Sequence, residues 1–194
     1  MKFQSTNRRQ IRLLMNKNSF TQPTTQALHK IQHRQDFLIE RFVTRVNALC
    51  PLSQASPTLQ ARVLEEVKTL ALQLDFNSVT GSATGYQRRV LYDASENWSL
   101  AAIILRPGQE THAHDHGGWG CAATVQGLER NRWFILDSKG NLVLSGELDY
   151  PPGTGYIFMA QDVHQPVGAD PQQVTVALHF LVQDSQWQGE LREP

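Results

Sequence analysis

The sequence predicts a mainly β fold, a sandwich or barrel of short strands preceded by a small N-terminal α-helical segment. Three observations predict it. Apolar residues recur at helical spacing before residue 80 and at a period near two after it. Turn signals divide the second part into short runs. The chain, 194 residues long, suffices for one domain with a sizeable core.

In the first part, Leu28, Ile31, Leu38, Phe42, Val46 and Leu49 recur at spacings of three, four or seven from Gln26 onward. That is one stripe of an amphipathic helix. Cys50-Pro51 ends it, because the residue before proline is pushed out of the α region. Ser56-Pro57 starts a second helix, with Ser as N-cap and Pro at the first helical position. Leu59, Val63, Val67 and Leu70 form its stripe, and helical character fades by Asp75. The strands expected next are Tyr86 to Tyr92, Trp98 to Leu105, Cys121 to Val125, Glu129 to Leu136, Leu142 to Leu148, Tyr156 to Met159 and Val174 to Val182. Pro107-Gly108, Asp137-Ser138-Lys139-Gly140, Pro151-Pro152-Gly153 and Gly168-Ala169-Asp170-Pro171 are the turns between them. Short strands at this spacing read as a sandwich or barrel. The organisation expected is a flexible basic N-terminus over 1–20, a helical segment packed on the barrel over 21–80, and the barrel over 81–194, one domain overall.

Formal net charge is zero and the pI is about 7.1. No basic field marks a nucleic-acid partner and no charge block an anionic membrane. No apolar run approaches the ~18 residues that span a bilayer, and no secretory signal is visible. Two cysteines, Cys50 and Cys121, make no disulfide framework, so a reducing, cytoplasmic location is expected. The first 35 residues carry seven lysines and arginines and no acid, a composition shared by transit peptides and frayed basic termini.

The chemistry concentrates in HAHDHGGWGCAATVQG, from His112 to Gly127. Residues at i and i+2 of a strand share a face, so His112, His114 and His116 could present adjacent imidazoles to one metal ion. His164 in QDVHQP is a further candidate ligand. His29 and His33 stand at helical i, i+4 spacing, but no third ligand accompanies them and a solvated face is expected.

Gly108, five residues, then a histidine pair, with a lone histidine much later, resembles the layout of a cupin. Within that superfamily the sequence resembles the thiol dioxygenases of cysteine dioxygenase type. His114-Asp115-His116, then GGWG, then Cys121 matches the family's first motif, and QDVHQPV resembles its second. Tyr86-Gln87-Arg88 matches the family's substrate-binding YxR stretch, and His179, fifteen residues after His164, matches a histidine beside its metal site.

The resemblance covers roughly residues 80 to 185 and implies a cupin-type β-barrel or jelly roll. It implies one Fe(II) per chain on His114, His116 and His164. The substrates implied are a small carboxylated thiol, cysteine or a mercapto-acid, and O2, with a sulfinate as product. Arg88 would clamp the substrate carboxylate, for which its planar fork is suited, with Tyr86 and Cys121 at the substrate and Trp119 there as a wall of the cavity, plain core packing being its alternative. His179 would act as a catalytic residue near the metal. His112 sits two residues too early relative to Gly108 and is assigned to solvent or to a contact behind the metal ligands. A monomer or weak homo-oligomer is expected.

The match breaks at Ala177 and Leu181, where animal-type members carry Ser and Tyr. Neither side chain makes a hydrogen bond, so Cys121 lacks the tyrosine to which the family can cross-link it. Tyr86, Tyr150 and Tyr156 are candidates for a replacement phenol. Two alternatives stay open: another metal-dependent cupin enzyme, and a non-enzymatic cupin that binds a metal or ligand.

Overall fold

The structure is a computed structural model that describes residues 25–53, 55–94 and 97–182. The basic N-terminus expected over 1–20 lies outside the described residues, as do the side chains of Leu28, His29 and Ile31. Two helices come first, α1 (Thr25–Asn47) and α2 (Pro57–Ala71). Ser56 caps α2 by accepting from the Leu59 N–H, with Pro57 at the first helical position. Val63, Val67 and Leu70 are buried along one stripe, as their spacing requires. Among the described residues no helix is long and apolar enough to cross a membrane.

Eight strands follow: β1 (Gln87–Asp93), β2 (Trp98–Leu105), β3 (Gly120–Gln126), β4 (Glu129–Leu136), β5 (Leu142–Tyr150), β6 (Gly155–Phe158), β7 (Val163–Gly168) and β8 (Thr175–Val182). They form a five-stranded sheet, β1-β2-β8-β3-β6, and a three-stranded sheet, β5-β4-β7. All ladders are antiparallel. The chain switches sheets repeatedly, so this is a jelly-roll barrel of the double-stranded β-helix kind. Seven of the eight strands lie where the alternation places them, within one or two residues.

Strand β7 is the addition. VHQPVG has a proline and a glycine in six residues, a composition that argues against a strand. Tertiary pairing overrides it: β7 pairs with β4 on one side and bridges Glu110 and His114 on the other.

The central strands of the five-stranded sheet, β2, β8 and β3, are buried on both faces, so their alternation decides what reaches the barrel interior. Trp98, Leu100, Ala102 and Ile104 of β2, Cys121 and Ala123 of β3, and Val176, Leu178 and Phe180 of β8 join Phe42, Val46, Val63, Val67 and Leu70 in the main core, between sheet and helices. The intervening Ser99, Ala101 and Ile103 of β2 and His179 and Leu181 of β8 face the interior and line a cavity.

Candidate metal centre

His114, His116 and His164 each bring one ring nitrogen within 4.8 Å of the others. The stretch from His112 to His116 is not a regular strand. Only His114 bridges, and it does so with His164 itself: the two exchange backbone N–H···O bonds of 2.9 Å each. The backbones of two candidate ligands are thus locked together. His112 is exposed, and its backbone carbonyl accepts from His114 Nδ1 at 2.8 Å.

These contacts fix tautomers. A carbonyl only accepts, so His114 carries its proton on Nδ1 and presents a lone pair at Nε2. His164 Nδ1 donates to Asn131 Oδ1 at 2.9 Å, which leaves Nε2 as the lone pair there too. The Nε2 atoms of His116 and His164 stand 2.8 Å apart. Burial holds all three imidazoles in the neutral form: it is the first cause of the lowered pKa of His114, of His164 well below its usual value, and of His116 at about 2. The neighbouring His114, His179 and Arg88 lower His116 further. The 2.8 Å contact needs one proton, so without metal His116 Nε2 donates to His164 Nε2; three neutral imidazoles whose ring nitrogens converge can hold a divalent first-row metal once it displaces that proton.

The rings are held by aromatic packing. Phe158 lies against His116 and His164, with ring centroids 4.5 and 5.0 Å away, and Trp133 stacks on His164 at 5.5 Å. Phe158 needs Gly120 opposite it. A Cβ at Gly120 would stand 2.4 Å from Phe158 Cζ and 2.4 Å from the Phe180 carbonyl oxygen, which no side chain tolerates.

The cavity beside the three histidines has a volume of about 190 Å³. Tyr86, Arg88, His114, His116 and His179 line it, with Ser99 and Thr111 as further polar groups. Strand register separates Arg88 from its neighbour. Arg88 pairs with Ile103, a cavity residue, whereas Arg89 pairs with Ala102 on the core side.

Trp119 and Cys121, expected at the substrate, stand elsewhere. Trp119 is buried in the core under the helices and donates Nε1–H to the Leu52 carbonyl at 3.0 Å. Cys121 is fully buried in the same core, and burial pushes its thiol pKa up, which keeps it protonated. The reason is alternation: on β3 the interior side belongs to Ala122, which packs with Tyr156 and Phe158.

Sequence reasoning missed Glu129 and Asn131. Both are fully buried on β4, and Tyr156 donates its phenol proton to Glu129 Oε1 at 2.7 Å, lying also 3.2 Å from Asn131 Oδ1. Burial, and then Glu129, raise the Tyr156 pKa well above its usual value, so the phenol stays a donor. Strand β4 reads Glu-Arg-Asn-Arg, polar on both faces. Period-two analysis looks for apolar alternation and finds none in that stretch.

No family model matches the sequence. The fold is similar to those of several solved structures. A protein with a double-stranded β-helix domain from Klebsiella pneumoniae is 16% identical, over 60% of this chain and 91% of its own, with a TM-score of 0.43. A cupin superfamily protein from Desulfitobacterium hafniense is 12% identical, over 61% of this chain and 88% of its own, with a TM-score of 0.43. An oxalate oxidase is 15% identical, over 57% of this chain and 59% of its own, with a TM-score of 0.43. Likeness at this level does not extend to an activity.

Proposed function

We propose that the protein is a non-haem iron thiol dioxygenase that oxidises a small carboxylated thiol, cysteine or a mercapto-acid, to a sulfinate. The observation that carries this reading is that Arg88 and His179 line the same small cavity as His114 and His116, on the side of the cluster that His164 completes. Fe(II) held on His114, His116 and His164 would supply the thiolate affinity and the chemistry with O2.

The chain's own residues would do the rest. Arg88 offers a planar fork for a substrate carboxylate. Ala101, Ile103, Phe158 and Leu181 make the walls largely hydrocarbon and limit water. The volume is below the ~300–1,000 Å³ of sites for drug-sized ligands, which suits a small thiol. His179 would meet the substrate from β8, the middle strand of the sheet whose edge strand β1 carries Arg88. The product class, a sulfinate, is one that ordinary cellular reductants do not reverse.

One observation favours a second reading. Leu181 turns hydrocarbon to the cavity where the resembled family places a phenol. A non-enzymatic metal-binding cupin would tolerate that. Anaerobic loading with Fe(II), followed by oxygen uptake with cysteine and 3-mercaptopropionate, separates the two. Thiol-dependent uptake with sulfinate formation is expected; a fully iron-loaded protein that takes up no oxygen with any small thiol rules the dioxygenase out. Replacing Arg88 with Ala is expected to raise KM for carboxylated thiols more than it lowers kcat. Unchanged kinetics would remove the clamp assignment.

A further inference from the structure

Strand β4 carries a carboxylate that the proposed reaction does not use. Glu129 is fully buried, and Tyr156 pins its Oε1 at 2.7 Å. Its other oxygen, Oε2, is buried with no hydrogen-bond partner. It faces His179 Nε2 at 3.6 Å, which is also buried and unpartnered. The remaining unpartnered atom of this cluster, Asn131 Nδ2, is a donor, so Glu129 Oε2 is the acceptor among the three. On β8, Ala177 and Leu181 flank His179 on its own face and supply no hydrogen bond.

We propose that Glu129 is the positioning residue for His179: Oε2 accepts the His179 Nε2–H and so turns an unprotonated Nδ1 to the cavity. A closure of about 1 Å brings the pair to the length of a charge-assisted hydrogen bond. Both atoms have already lost water, so neither has a competing partner to give up. Tyr156 occupies Oε1 and leaves Oε2 to His179. The same phenol reaches Asn131, which orients His164. One continuous set of contacts, His179–Glu129–Tyr156–Asn131–His164, therefore links the cavity wall to the metal cluster. The inference rests on this geometry and not on the identity of the substrate.

Nitrogen-15 NMR of the histidine rings tests it, on the full-length chain without metal and after loading with Zn(II), a diamagnetic ion. His179 is expected as the Nε2–H tautomer. In Glu129→Gln, Tyr156 still donates to the amide oxygen, which leaves the amide NH2 facing His179; the ring proton is then expected to move to Nδ1. Tyr156→Phe retains the carboxylate and should retain the Nε2–H tautomer. An Nδ1–H tautomer in the unsubstituted protein, no change in Glu129→Gln, or an inversion in Tyr156→Phe would each overturn the proposal. The readout needs no turnover, so it stands apart from any failure of the dioxygenase reading.

Discussion

At the scale of single residues, the candidate centre depends on which nitrogen of each imidazole is free. Two hydrogen bonds settle it for His114 and His164, to the His112 carbonyl and to Asn131. The first uses only the backbone of His112, so His112→Ala is expected to keep full metal content by elemental analysis, whereas His164→Ala should lose it. Asn131→Ala removes the acceptor that orients His164. Metal affinity is then expected to fall ~10–100-fold, measured by competition with a chelator. The histidine pair and His164 were legible from spacing and resemblance. Asn131 and Glu129 were not, because nothing local distinguishes a buried polar side chain from the arginines that alternate with it on β4.

At the scale of elements, the two faces of the five-stranded sheet do different work. One packs on the helices and the other bears the cavity. Trp119 and Cys121 belong to the first. Cys121→Ser therefore buries a hydroxyl in an apolar core, and is expected to cost about 1–3 kcal/mol in urea unfolding while leaving metal affinity unchanged. Gly120→Ala should behave differently. Its Cβ displaces Phe158, the ring against which His116 and His164 pack, so stability and metal affinity are expected to fall together. Parity along β3 was available from the sequence, but the bend at Gly117 and Gly118 breaks the count from the histidines to the strand.

At the scale of the whole molecule, burying three neutral imidazoles ties folding to pH. Burial lowers the pKa of each from the ordinary 6.5, and of His116 to about 2. Below pH 6.5 the unfolded chain therefore binds protons that the folded metal-free chain does not. Stability falls as pH falls, by up to about 1.4 kcal/mol per pH unit for each such imidazole. The loss starts near pH 6.5 and continues down towards the folded-state values. Urea midpoints of the metal-free protein should thus drop steadily as the buffer is acidified below pH 6.5, and a bound divalent metal should resist that drop because it competes with the protons.

Resemblance to a known family singled out the three histidines that converge, whereas the sequence by itself determined the mainly β class, the two amphipathic helices and seven of eight strands. Those features depend on local period, on turn residues and on spacing within short stretches. Only the tertiary structure decided that VHQPVG is a strand, that Cys121 faces away from the cavity, and that Glu129 lies beside His179. Each of these depends on register between segments far apart in the chain, or on which sheet face is covered. A one-residue change in register reverses every such assignment, and no pattern within a single strand records it.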